Sequence, residues 1–444
     1  MRNTTLPLLM GLISSLYTLH AHAQDSGSAP SAAPNAPTTT APPTNAVPQS
    51  SAPPVGGSGR SGEETTPFIF GIRQGLTGDS NVFRAPEGSE FVRRDRIWST
   101  GLHLGLDKSI GRQHFLLDLQ ADANRYNKNK HLNNTEYAGN ARWDWETVGR
   151  LSGQFTAQQR QGLFRDIMAG SVSFERNQVR STSLGAQARL GLVTRWSFEA
   201  GVAGSESDYM GSEVNGRDVR QTAINAGLRY RPSTAVTTGL GVRRTEGRYP
   251  NLATGVDEFT RDDIDLTTTF NASGASTFNS RLSSTREKHT SQALRDANGW
   301  TGALGWRWRP TGKLTTQLDL SHDRSVGQAA LDSALIGVEA SDASEADSAA
   351  LSVTWDATAK ISIVPRVSYA RRKLDNTFTT GGTPTATGTD TTVLGGLALN
   401  YTPFDALSLT CQVTQERRRT AGAGAVTVNY VATVAGCNAE FAIR

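Results

Sequence analysis

The stretch "HFLLDLQADANRY", residues 114–126, changes character at almost every step. Phe115, Leu117, Leu119, Ala121 and Ala123 are apolar, and Asp118, Gln120, Asp122 and Asn124 are polar. Successive side chains of an extended strand point to opposite faces. A two-residue period therefore predicts a strand with one greasy face and one wet face.

The period recurs along the chain. Residues 95–107 set Trp98, Leu102, Leu104 and Leu106 against Ser99, Gly101, His103 and Asp107. Residues 135–147 set Tyr137, Ala141, Trp143 and Trp145 against Asn140, Arg142, Asp144 and Glu146. Residues 259–272 set Ile264, Leu266 and Phe270 against Asp263 and Asp265. The pattern predicts 18 strands, at 67–76, 95–107, 114–126, 135–147, 151–160, 179–192, 196–207, 217–230, 234–246, 259–272, 276–287, 298–309, 313–323, 346–358, 361–373, 390–401, 407–417 and 427–443. Most reach the ~9–11 residues that a tilted strand needs to cross a bilayer.

The connections alternate as well. Links at 148–150, 193–195, 231–233, 273–275 and 310–312 are short, whereas those at 77–94, 161–178, 247–258, 324–345 and 374–389 are long. Short turns on one side and long loops on the other are the asymmetry of outer-membrane barrels. All 8 tryptophans fall on the apolar phase. Trp145, Trp196, Trp306, Trp308 and Trp355 adjoin short turns, and Trp98 and Trp300 lie towards the long loops, as two aromatic girdles. The predicted fold is all-β, a transmembrane antiparallel up-and-down β-barrel of 18 strands, with 16 as the alternative count. A soluble sandwich or solenoid is the competing architecture, and no fixed internal repeat supports the latter.

The N-terminus predicts export. Residues 1–23 carry Arg2, an apolar run from Leu6 to Leu19 and an A-x-A site at Ala21–Ala23, which reads as a cleaved signal peptide. In residues 24–66 proline recurs among Ala, Ser, Thr and Gly, the composition of a disordered tether. The barrel then occupies 67–444. An even strand count puts both termini on the short-turn, periplasmic side of a bacterial outer membrane. The tether is too short and polar to plug the lumen, which speaks against a siderophore-type transporter, although a long loop such as 161–178 or 324–345 is a candidate to fold inward. With 45 basic and 41 acidic residues the chain is not built for nucleic acid.

The polar phase supplies the predicted lumen lining: Asp118, Gln120, Asp122, Asn124, Arg142, Asp144, Glu146, Glu199, Arg229, Asp263, Asp265, Arg281, Arg307 and Asp319. Charges of both signs suit a hydrated polar solute, including a sugar polymer, but any water-filled barrel carries such a lining. Few aromatic residues are expected to face inward. His103 is placed opposite Asp118 by a hairpin centred near Ile110, which raises the alternative of an outer-membrane hydrolase. The plainer reading is a lumenal hydrogen-bonded pair. The 7 histidines are scattered without metal spacing, and neither a metal nor another cofactor is called for. A hairpin centred on Gly424 sets Cys411 opposite Cys437, predicting a cross-strand disulfide, with two separate lipid-facing thiols as the alternative.

The segment "FGIRQGLTGDSNVFRAP" (70–86) carries a D-x-N-x-F-R element at Asp79, Asn81, Phe83 and Arg84. Together with "RQHFLLDLQADANRYNKN" (112–129) and the Cys411/Cys437 pair, it resembles the EpsL-type exopolysaccharide-associated outer-membrane β-barrel proteins. The resemblance implies a conduit in exopolysaccharide synthesis or export, partnered by a periplasmic polysaccharide-export protein. Two departures stand out. The chain ends in Arg444 rather than an aromatic residue, and Pro365 inside a strand removes a ladder bond and calls for a bulge. The expected function is a non-enzymatic barrel, surrounded by outer-membrane lipid, that passes a polar polymer. The alternatives are a general small-solute porin and the hydrolase.

Overall fold

The computed structural model describes residues 67–164, 176–191, 195–211, 218–251, 255–291, 296–324, 343–375, 387–422 and 428–443. The predicted signal peptide and tether lie outside the described residues.

The chain folds into eighteen strands: β1 (Phe68–Asp79), β2 (Asp95–Ile110), β3 (Gln113–Tyr126), β4 (Asn134–Glu146), β5 (Leu151–Leu163), β6 (Gln178–Leu190), β7 (Trp196–Met210), β8 (Val219–Tyr230) and β9 (Val236–Tyr249) form the first half. The second half comprises β10 (Asp257–Ser273), β11 (Ser276–His289), β12 (Ala297–Thr311), β13 (Leu314–Asp323), β14 (Ala343–Asp356), β15 (Ile361–Asp375), β16 (Thr387–Phe404), β17 (Leu407–Ala421) and β18 (Tyr430–Ile443). A 3₁₀ turn, Lys130–Leu132, sits between β3 and β4.

Each strand pairs antiparallel with its sequence neighbours, and β1 pairs with β18 as well as β2, closing the sheet into a barrel. Closure is what the sequence chemistry requires. An open sheet in hydrocarbon would strand rows of N–H and C=O groups, each at a cost of several kcal/mol. In register, Phe68 faces Leu106 and Phe70 faces Ile443. The start of β1 and the end of β18 therefore share the rim of the short turns. The β2–β3 turn is two residues long, and Gly111 supplies its positive φ of 61°.

The outer phase stays bare of protein: Trp98 is 52% exposed, Phe198 62% and Trp300 64%. A contiguous apolar face of this kind demands a non-aqueous neighbour. The inner phase is polar and packed, with Asp122, Arg261 and Asp263 buried.

The strands run further at the long-loop end than the two-residue period predicts, as with β17 to Ala421 and β16 from Thr387. There the outer face becomes polar, so the alternation fades while backbone pairing continues. Pro365 causes no bulge. Ser352 pairs with Arg366 and Trp355 with Ile363 in one unshifted register, and the ladder simply lapses between them. The irregularities of β10–β11, β12–β13 and β16–β17 sit instead beside short turns.

Candidate functional site

The barrel interior collects the polar phase of every strand. At the seam, Arg73 of β1 reaches across β2 to Asp122 of β3, with Nε at 3.1 Å and Nη2 at 2.6 Å from its carboxylate. Gly101, between them, makes this possible, because a Cβ there would lie 2.2 Å from Asp122 Oδ1. Gly71 plays the same part for His103, whose Nδ1 lies 2.7 Å from Glu440 and whose Nε2 lies 2.8 Å from Asp118.

The register corrects the sequence reading of this histidine. His103 stands opposite Gln120, and Asp118 stands opposite Gly105, so the His103–Asp118 contact is diagonal. The two-residue turn at Gly111 sets the offset. With a carboxylate on each ring nitrogen, neither nitrogen is left to take a proton from a nucleophile, and the constellation a hydrolase needs is not assembled around His103.

A second network spans β9 to β13. Arg261 contacts Asp263 at 3.2 Å and Asp323 at 3.5 Å, and Arg243 joins Asp263 at 3.1 Å and Asp265 at 3.4 Å. His289, fully buried, lies between Asp257 and Glu287. Near the short-turn rim, Glu199 is shared by Arg229 at 3.0 Å and Arg189 at 3.4 Å. Charges this poorly solvated are tolerable only in such paired sets.

The other inward residues are more dispersed. Arg142 bonds its strand neighbour Asp144, Asn124 accepts from Ser99, and Asp118 and Asp319 accept from Gln120 and Gln317. Arg281 and Arg307 face inward opposite Ala303 and Gln317, and Glu146 opposite Ser152. No group of three or more His, Cys, Asp or Glu among the described residues is arranged to hold a metal.

At the long-loop mouth the segment 80–94 folds against the inner wall. Arg84 donates to both oxygens of Asp79 and, at 3.3 Å, to Glu416 of β17. Asn81 accepts from the Ala85 amide and donates to the carbonyls of Ala85 and Val431. Burial alone would lower the Arg84 pKa, but the Asp79 and Glu416 carboxylates reverse this and raise it. These bonds hold Arg84 at a φ of 53°, an uncommon conformation for a residue with a side chain. Val82 and Phe83 are buried with Ile97, Tyr126, Leu132 and Leu163. The four residues of the D-x-N-x-F-R element thus form one knit unit inside the mouth.

Around that mouth the inward phase is more aromatic than the sequence reading allows. Tyr126, Tyr209, Tyr249, Phe259 and Tyr430 are all buried on the inner side. Phe164 packs edge-on to Tyr209, and Tyr249 lies against Phe259. The missed signal is a tyrosine as the last polar-phase residue of β3, β7 and β9. Of the loops expected to fold inward, 165–175 and 325–342 lie outside the described residues; the loop seen to do so is 80–94.

On the outside, Trp145, Trp196, Trp306, Trp308 and Trp355 border short turns, and Trp98 and Trp300 stand towards the other rim. Trp196 packs on Tyr230 at 4.4 Å, and Phe278, Trp306 and Trp308 form a stack. Cys411 and Cys437, directly opposed in register, are joined by a disulfide on the outer face.

No family model matches the chain, and no curated protein matches it. Among solved structures it is similar to the outer membrane protein OpdK of Pseudomonas aeruginosa, at 11% identity, 85% of this chain, 99% of that chain and a TM-score of 0.45. It is also similar to OccK2 (OpdF) of the same organism, solved in complex with glucuronate, at 12% identity, 85% and 98% coverage and a TM-score of 0.44. OccK5 (OpdH) matches with the same identity, coverage and score.

Proposed function

We propose that the chain is an outer-membrane channel for small polar solutes, with both ends of the barrel on the periplasmic side. The observation that carries this reading is the phase of the wall: one closed sheet with a broad apolar band outside and buried ion pairs inside. Eighteen strands about 4.8 Å apart and tilted ~40° enclose a bore roughly 35 Å across between backbones. A ring of that size has room for water once side chains are placed.

The polymer conduit implied by the resemblance needs a wide, smooth path. Two features weigh against it. Segment 80–94 occupies part of the mouth, and the inward aromatic rings there are buried rather than displayed for stacking on sugars. A separate periplasmic partner belongs to that polymer reading and has no support of its own here. Liposome swelling with purified full-length protein tests the choice. Mono- and disaccharides should enter and long dextrins should not. Entry of long dextrins would favour the polymer conduit, and no swelling with any sugar would refute the channel.

A further inference from the structure

Towards the long-loop rim the outer wall changes chemistry. From β11 to β17, three upward-running strands end in outward basic pairs: Arg286 and Lys288, Arg371 and Lys373, and Arg417 and Arg419. Each is exposed and alternates with a buried inward neighbour such as Glu287, Arg372 or Arg418. Among the side chains described on this stretch of strand, the outward carboxylates are Glu345 and Asp347 of β14. They stand in register opposite Lys373 and Arg371, and they also bond Arg324 at 3.0 Å and His322 at 2.7 Å, so two carboxylates are shared among these cations. The neighbouring arc differs: on β7 to β9, Arg220 pairs with Glu206 and Arg244 with Glu246, leaving little net charge.

One place on the basic arc is suited to an anion. Arg371, Thr391 and Arg419 stand in one row across β15, β16 and β17. With strands ~4.8 Å apart, the two arginine backbones are about 10 Å from each other, close enough for their side chains to converge over the threonine. Beside it lies a cavity of about 410 Å³ whose lining holds Arg286, Lys288, Arg324 and Lys373 together with Glu287, Asp296 and Glu345. Just below the arginine row stands Tyr369, 41% exposed, and just below Arg286 and Asn298 stands Trp300, 64% exposed. Amphipathic rings of this kind settle at the headgroup level of a bilayer. The basic rows therefore lie where lipid phosphates lie, and arginine matches a phosphate with paired donors.

We propose that the outer wall from β11 to β17 binds phosphorylated lipid headgroups of the outer leaflet. The proposal rests on the reading of this barrel as membrane-embedded. A second copy of the chain is the poorer occupant, because a twofold contact would set this basic arc against itself.

The test uses the purified full chain in neutral maltoside micelles, with bound lipid counted by native mass spectrometry. The probes are bisphosphorylated lipid A, its dephosphorylated form, and inorganic phosphate. We expect the bisphosphorylated form to be retained at least tenfold more strongly than the dephosphorylated one, with inorganic phosphate failing to displace it at equal concentration. Arg371→Glu with Arg419→Glu should weaken retention at least tenfold. Arg220→Gln with Arg244→Gln, on the balanced arc, should change it less than twofold. If the glutamate pair does not fold, judged by the heat-dependent gel shift of a barrel, the glutamine pair at 371 and 419 replaces it. Equal retention of both lipid forms, displacement by inorganic phosphate, or equal losses in the two variant pairs would overturn the proposal. Bilayer conductance of the same preparation is an independent readout, so a conducting barrel that ignores the phosphates defeats this inference and leaves the channel standing.

Discussion

Arg73 of β1 and Asp122 of β3 form an ion pair across an intervening strand, 2.6 Å apart at Nη2, because Gly101 leaves the space above β2 empty. The pair braces the first three strands, and His103 of β2, bonded to Glu440 of β18, carries the bracing across the β1–β18 seam. Both partners are almost fully buried. Removing one takes from a buried charge its bidentate partner, which costs about 3–5 kcal/mol at buried sites. Asp122→Ala should lower the unfolding free energy in lipid vesicles by about that amount, read by urea titration. Gly101→Val should cost a comparable few kcal/mol by pushing Asp122 aside. A replacement of both charges by leucine should cost less than Asp122→Ala alone.

Segment 80–94 depends on Arg84, whose guanidinium ties Asp79 to Glu416, a residue 332 positions away in sequence. Arg84→Ala removes that tie, and with it the bonds that hold the backbone at positive φ. We expect a larger and noisier single-channel conductance and passage of larger sugars, with the strands intact by circular dichroism. Glu416→Gln, which keeps the Asp79 contact, should give a smaller change in the same direction. Unaltered conductance in both would mean that the segment does not narrow the path.

The Cys411–Cys437 bridge closes a 26-residue separation at the last hairpin. Chain-entropy reasoning gives such a loop about 3–4 kcal/mol of stabilisation. Cys411→Ser with Cys437→Ser should lower unfolding stability towards that amount without changing conductance, since the bridge lies outside the bore.

Charge selectivity should follow inward arginines one at a time. Arginine remains protonated at any working pH. Arg229→Gln removes a positive group and leaves Glu199 with Arg189 alone, so reversal potentials in a salt gradient should shift towards cations. Asp319→Asn, which deletes an inward carboxylate, should shift them the opposite way.

Strand number and facing were legible because lipid outside and polarity inside impose one period on every strand. Leu119 and Gln120 carry that message unaided. Strand ends were less legible: Arg417 and Arg419 face outward like Val413, but above the apolar band, so the alternation no longer marks the strand. The His103 register slipped by two residues without changing face, because only the turn at Gly111 fixes it. Tyr126, Tyr209 and Tyr249 were hidden by the expectation that aromatic residues face lipid. The role of Asp79, Asn81, Phe83 and Arg84 could not be read locally, because Glu416 and Val431 lie far along the chain.

Leu119 and Gln120 also provide the most direct test of the barrel. The described residues contain no free cysteine, so single changes Leu119→Cys and Gln120→Cys can be placed in the otherwise native chain. In proteoliposomes we expect Gln120→Cys to react with a small water-soluble thiol reagent. Leu119→Cys should resist it, and a fluorophore attached there before reconstitution should be quenched by lipid-borne spin labels. Equal reaction at both positions, or lipid quenching at position 120 rather than 119, would contradict a wall that is apolar outside and wet within.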